Sequence, residues 1–190
     1  MERMEIVNRM LMTRATSKLD LVSIEAHIPG KGEYLQIGKK MKPVTSLRKG
    51  RPTMLTWRVK VKEKSLTILF FPNGTIQCVG NSDESDVENL HVKLCKVLHI
   101  DFLPPWKVKS MTVLCSLCES YDLRFLASNK SVTYEVELFP AAQFALWKHI
   151  HVHAFHNGKL IITGITTVRQ VYKVVNDVVE YLNSNYKKFE

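Results

Sequence analysis

Between Leu66 and Gly80 the chain alternates, turns and alternates again. Leu66, Ile68 and Phe70 share one parity and Thr67, Leu69 and Phe71 the other, Asn73-Gly74 follows, and a second alternating run from Thr75 to Val79 stops at Gly80. A strand sends successive side chains to opposite faces. Asn-Gly between two such runs predicts a hairpin with a tight type I′ turn, which needs positive φ at both central residues. The pattern is written twice: 84 residues after Phe71-Pro72-Asn73-Gly74 comes Phe155-His156-Asn157-Gly158, followed by the run Lys159–Thr163 and Gly164. Two equivalent hairpins are therefore expected.

The same duplication runs through the rest of the chain. Residues 5–13 predict a first strand, and Lys18-Leu19-Asp20-Leu21 with the residues after it predicts a short helix capped by Ser17. Strands are expected at Met54–Val61, Leu66–Phe71 and Thr75–Val79. Val87, Leu90, Leu94 and Val97/Leu98 then recur at helical spacing, with Ser82 or Ser85 as cap and Asp83, Glu84 and Asp86 where a helix N-terminus favours acids. After Pro104-Pro105 the series restarts with a strand over 106–113, a short helix near Asp122, and strands at 133–138, 143–148, 150–155 and 159–163. A closing helix over 167–182 has Val168, Val171, Val175, Val178/Val179 and Leu182 as its apolar positions. The reading is one domain of α+β class, with repeat one over about 4–100, repeat two over about 106–186, and a basic loop over about 28–52 that includes a short element near Tyr34–Ile37.

Each repeat thus has one long helix and an antiparallel sheet, which places the helices on one face of that sheet. Both parities of Leu66–Phe71 are largely apolar. A helix covers only one of them, so the other faces an apolar ligand, a partner or nucleic-acid bases.

Charge changes the picture further. The net charge is +9, with much of the excess in Lys39, Lys40, Lys42, Arg48, Lys49, Arg51, Arg58, Lys60, Lys62 and Lys64. Such an excess favours polyanions, nucleic acid ahead of an anionic membrane because no basic amphipathic helix accompanies it, or else solvates a loop. No run of 18 apolar residues and no signal-peptide core occur, so a soluble, unexported protein is expected. Four cysteines do not form a disulfide framework, and Cys115-x-x-Cys118 is a lone pair best read as buried thiols. No catalytic constellation or phosphate loop is present, and no cofactor is implied.

Tyr134-Glu135-Val136-Glu137-Leu138-Phe139-Pro140, the two Phe-x-x-Gly hairpins, Lys18-Leu19-Asp20-Leu21 and the internal duplication together resemble the TATA-binding protein core family over nearly the whole chain. The resemblance implies a saddle, a curved antiparallel sheet with helices on its convex face, that binds the minor groove of A·T-rich promoter duplex and bends it. Phe139 and Phe155 would be the wedges at one end and Phe71 with Pro52 at the other. Asn8 and Met10, with Ser110 and Thr112 in the second repeat, would stand at the centre of the bent site. Leu69, Gln77, Val79, Ile161 and Thr163 would line the remaining concave face, and Arg58, Lys148 and Lys159 would meet phosphates. Glu135, Glu137 and Leu138 would contact a transcription factor IIB-like protein of the RNA polymerase machinery. The implied protein is a monomer or weak dimer acting in the nucleus, or at a viral transcription site if its divergence and short N-terminus reflect a large DNA virus.

One stretch departs from the family. His149-Ile150-His151-Val152-His153-Ala154-Phe155 puts three imidazoles on the parity of Phe155, where the family has aliphatic residues. DNA-facing His, ordinary surface His and a zinc site are the readings, the last making the chain a metal-dependent enzyme. Pro52, Ser110, Thr112 and the imidazoles also suit a protein-interaction module that has lost DNA binding.

Overall fold

The computed structural model describes residues 3–28, 44–48 and 51–185, with the side chains of 44–52 outside that description. The expected element near Tyr34–Ile37 and the lysines at 39, 40, 42 and 49 lie outside the described residues. The chain divides into two compact units, one of residues 8–108 and one of 109 onward together with the first residues of the chain.

In the first unit β1 (Arg3–Arg14) leads to α1 (Leu21–His27), then β2 (Val44–Arg48), β3 (Arg51–Val61), β4 (Lys64–Phe70), β5 (Thr75–Gly80) and α2 (Glu84–Leu98). Antiparallel ladders join β2 to β3, β3 to β4, β4 to β5 and β5 to β1. Val44–Arg48 and Arg51–Pro52 are strand where a loop was expected, because the ladder carries the pairing of β3 outward from Leu55 through Arg51.

The covered face collects one parity from every strand. Leu11, Trp57, Leu66, Ile68, Phe70, Ile76 and Cys78 are buried with Leu90, Leu94 and Val97 of α2 in one cluster. Each such side chain contributes about 1.5–3 kcal/mol of burial, so Leu94→Ala removes about 2–5 kcal/mol.

The second unit follows the same plan. β6 (Lys107–Ser116) leads to α3 (Leu123–Leu126), β7 (Ala141–Trp147), β8 (Ile150–Phe155), β9 (Lys159–Ile165) and α4 (Val168–Asn185). Here β6 pairs with β9, β9 with β8 and β8 with β7, all antiparallel. Met111, Val113, Phe144, Val152, Leu160 and Ile162 are buried, as are Val171, Val174, Val175, Val178 and Leu182 of α4. Val168, expected in that stripe, is 54% exposed at the first position of α4. The expected strand at 133–138 is also absent: Thr133 makes a single bridge to Gln143 and Glu135–Leu138 form a turn, closed by the Leu138 and Phe139 amides donating to the Glu135 carbonyl.

The helix starts differ from expectation in an instructive way. Asp20, not Ser17, caps α1, and its carboxylate accepts from the amides of Val22 and Ser23. Asp122 repeats this for α3 with Arg124 and Phe125. The chain before each cap is tied to a hairpin, since the Ala15 amide donates to Gly74 and Leu19 to Pro72, as Leu117 does to Gly158 and Tyr121 to His156. Helix can begin only after the second tie. For α2 the cap is Asp83, neither Ser82 nor Ser85, with Asp86 completing a reciprocal capping box.

The hairpin turns are not type I′. Asn73 and Asn157 keep negative φ, whereas Gly74 and Gly158 have φ of 89° and 77°. The Gly74 amide donates to the Phe71 carbonyl and the Phe71 amide to the Thr75 carbonyl. That is a three-residue loop, a type I turn closed by a left-handed glycine. A Cβ on Gly158 would lie 2.3 Å from the Glu119 carbonyl oxygen, so the same atom position serves the turn and the tie.

Part of the basic excess is used internally. Lys64 Nζ lies 2.7 Å from both Asp83 and the fully buried Asp86, and Lys62 lies 3.9 Å from Asp86. The Lys64 ammonium, then the Asp86 amide and Ser85 hydroxyl, hold the Asp83 carboxyl well below the usual carboxylate range, and the two carboxylates hold Lys64 above its ordinary value. Among the expected thiols, Cys78 is pushed up to about 12 by burial and Cys115 also rises, whereas Cys118 is exposed, contrary to its reading as buried.

Two outcomes follow from these contacts. Gly164 has φ of 96° and a Cβ there would fall 1.8 Å from the His149 carbonyl oxygen, so Gly164→Ala should lower the urea-measured unfolding free energy by about 2–4 kcal/mol. Asp83 has its folded value depressed, so its contribution is present above the ordinary carboxylate range and is lost as pH falls below about 4. Asp83→Asn, which keeps a capping side chain, should flatten the fall in stability between neutral pH and about pH 3; an unchanged slope would assign that fall to other carboxylates.

Candidate nucleic-acid interface

In each unit the strand face opposite the helices carries the other parity of every strand. In the first unit it presents Asn8, Met10 and Met12 on β1, Gln77 and Val79 on β5, Leu69 on β4 with Phe71 just beyond, and Thr56 and Arg58 on β3. The ladder puts Met10 beside Val79, Met12 and Leu69 on either side of Gln77, and Arg58 beside Thr67. Most are half-buried, and Arg58 is exposed. The structure thus brings together seven of the residues singled out from the sequence, and adds Met12, which shares the parity of Met10, and Thr56, which shares that of Arg58. Pro52 pairs with Leu47 in the β2–β3 ladder, and its side chain lies outside the described residues.

In the second unit the equivalent face holds Thr112 and Leu114 of β6, Ile161 and Thr163 of β9, His151, His153 and Phe155 of β8, and Gln143 of β7. Thr112 lies opposite Thr163 and Leu114 opposite Ile161; Thr163 also faces His151, and Ile161 faces His153. Leu114 and Gln143 were not singled out from the sequence, although counting every second residue from Thr112 and from Ala141 reaches both. Lys159 is exposed on the parity of Ile161, and Lys148 is exposed in the turn between β7 and β8.

Ser110 has a backbone duty. The β6–β9 register shifts between Met111 and Thr112, which leaves Gly164 as the extra residue on β9, and the Gly164 amide donates to Ser110 Oγ at 3.2 Å. The hydroxyl oxygen replaces a ladder acceptor that the bulge removes.

Phe139 and Phe155 meet. Their ring centroids are 6.0 Å apart at 65°, and Phe139 also contacts the His153 ring edge-to-face at 5.3 Å. The turn over Glu135–Leu138 delivers Phe139 to this position and leaves Glu135, Glu137 and Leu138 exposed beside it, Leu138 to 80%. Burial, and then the neighbouring His151 charge, hold the His153 imidazole below its ordinary value.

The three-imidazole zinc site does not assemble. His149 sits in the turn before β8, outside the alternation of His151 and His153, and no group of three His, Cys, Asp or Glu among the described residues lies close enough to hold a metal ion. No helix among the described residues is long and apolar enough to cross a membrane.

Comparison with known proteins agrees with this geometry. The family model described as Transcription factor TFIID (or TATA-binding protein, TBP) matches residues 105–185. The TATA-box-binding protein of Methanothrix thermoacetophila is 25% identical over 169 residues, covering 84% of this chain and 84% of that protein. The TATA box-binding protein-like 2 of Rattus norvegicus is 25% identical over 137 residues, covering 68% of this chain but 40% of the relative, so the chain spans about two fifths of that protein's length. Among solved structures, Methanococcus jannaschii TBP superposes with a TM-score of 0.70 at 17% identity, covering 96% of this chain and 98% of that one, which shows a shared α+β fold. With the duplicated hairpins, the capped short helices and a helix-free face in each unit, the chain shares its fold with a TATA-binding protein, is similar to TATA-box-binding proteins at about a quarter identity, and matches the family model over its second repeat.

Proposed function

We propose that the chain is a transcription initiation factor that binds the minor groove of A·T-rich promoter duplex through its helix-free sheet faces and bends it. The observation that carries this reading is the Phe139–Phe155 ring pair at the end of a helix-free apolar strand face. Two rings side by side form a wedge. Inserting such a wedge between base steps costs a few kcal/mol of stacking per step, and the opened groove then buries the apolar face against sugars and base edges. Phe71, in the same place on the first hairpin, supplies the counterpart wedge with Pro52. Arg58, Lys148 and Lys159 meet phosphates, and the net charge of +9 supports association with a polyanion.

The exposed Glu135, Glu137 and Leu138 present two acids and an apolar side chain beside the Phe139 wedge, a surface suited to a transcription factor IIB-like protein. The protein acts as a monomer or weak dimer where promoters are transcribed, in the nucleus, or at a viral transcription site if its lineage is viral.

A fluorescence bending assay on A·T-rich duplex over a salt series tests the DNA reading. A binder that neutralises Z phosphates shows log K falling with log salt at a slope of about −0.9Z. Failure to bind any duplex at low salt would end the promoter reading in favour of a protein-interaction module. Phe155→Ala should cost more bending than Phe71→Ala, because only Phe155 has a ring partner among the described residues.

Charge reversal at Glu135 and Glu137 should leave DNA binding intact and abolish the ternary complex with a factor IIB-like protein. Equal loss of both would assign the turn to the DNA contact.

Protonated imidazole adds positive charge beside the groove, so binding should strengthen as pH falls. For His153 the gain comes below the ordinary value of about 6.5, because burial opposes its charged form. His153→Leu should therefore flatten the lower part of the pH profile, and a retained slope would exclude His153 as its source.

A further inference from the structure

The helix-free face of the second unit carries a strip of two imidazoles and an amide, whereas the described residues of the first unit's face include the amides Asn8 and Gln77 but no imidazole. On β8, His153 lies opposite Gln143 of β7 and Ile161 of β9, and His151 opposite Ala145 and Thr163. Gln143, His151 and His153 line one open hollow with Ser131 and Thr133. Among the described residues none of these three side chains hydrogen-bonds another group of the protein, while the Phe139 ring sets the His153 ring edge-on. The matching hairpin of the first unit has Thr67 and Leu69 in place of the two imidazoles, and a single amide, Gln77, flanked by Leu69 and Met12.

This difference has a meaning in the minor groove. A·T and T·A pairs show only acceptors there, whereas a G·C pair adds the guanine 2-amino donor. An apolar floor leaves that amino group desolvated and unpaired, which is how a groove reader rejects G·C. A neutral imidazole has one donor and one acceptor nitrogen, and a glutamine amide likewise has both. We propose that the Gln143, His151 and His153 strip accepts the guanine 2-amino group, so that base pairs set against this strip include G·C while pairs set against the apolar Met10, Leu69 and Val79 are A·T. The proposal rests on the minor-groove reading above. It gives the protein a fixed orientation on an asymmetric site without any difference in its wedges.

Inosine isolates the group in question, because an I·C pair lacks the 2-amino substituent and otherwise matches G·C. The experiment places one I·C or one G·C pair at each position along an otherwise A·T duplex at about pH 7.5 and measures the affinity ratio of G·C to I·C position by position. The wild-type protein should show a run of positions on one side of the site where G·C binds as well as I·C or better, and a penalty elsewhere. In the Gln143→Leu, His153→Leu double variant the ratio at those positions should fall by about fivefold or more. His153→Asn, which keeps an acceptor, should retain most of the tolerance and guards against a double variant that fails to fold. A penalty at every position of the wild-type scan, or a scan that the double variant leaves unchanged, overturns the proposal while leaving minor-groove binding intact. Failure of the wild-type protein to bind even the all-A·T duplex overturns the minor-groove reading and the proposal with it.

Discussion

A strand offers its side chains to two faces, and in each unit the long helix fills only one. This geometric constraint governs everything else about the molecule. Leu66, Ile68 and Phe70 are fully buried under the helix side, while Leu69 and Phe71, just as apolar, remain half-exposed on the other. Folding free energy comes from the first set at about 25 cal/mol per Å² of buried apolar surface. The second set adds little to that sum and stays partly exposed.

The two units use this common plan differently. On the first, the helix-free face is largely methionine and aliphatic with two amides, Asn8 and Gln77, and ends at Phe71. On the second, the face ends in a packed Phe139–Phe155 pair, with His153 held against Phe139. A ring that is already fixed loses less conformational freedom on insertion than one that is free to turn. The turn over Glu135–Leu138 makes this possible, since it brings Phe139 back to the hairpin.

Part of the positive charge is used to hold the fold, and part stays exposed. Lys62 and Lys64 sit beside the two acids that cap α2, with Asp86 fully buried at their centre. A buried carboxylate without its cation would carry a heavy desolvation cost, so these lysines are committed to the fold. Arg58, Lys148 and Lys159 are exposed at the helix-free faces or the turns beside them.

The duplicated hairpins, the strands and long helices, and most residues of the open faces were legible in the sequence, because the periods of two and of about 3.6 survive in the order of apolar residues. The resemblance of Tyr134–Pro140 also singled out Phe139 as the neighbour of Phe155. Other features lay beyond one-dimensional pattern. Ser17 was the expected cap, and the ties of Ala15 and Leu19 to the hairpin move the start of the helix to Asp20. Asn-Gly suggested one turn type, and the ladder selected a three-residue loop with only the glycine left-handed. Thr133–Leu138 alternated like a strand, yet only Thr133 found a bridge. Ser110 was singled out as a residue at the centre of the site, and the structure adds that its hydroxyl oxygen accepts from the Gly164 amide at the bulge. In each case the local pattern permitted more than one conformation, and a hydrogen bond or close approach from a distant segment selected one. Sequence therefore determined which residues alternate and where the chain repeats, and tertiary structure decided which polar groups the fold consumes and which it leaves facing outward.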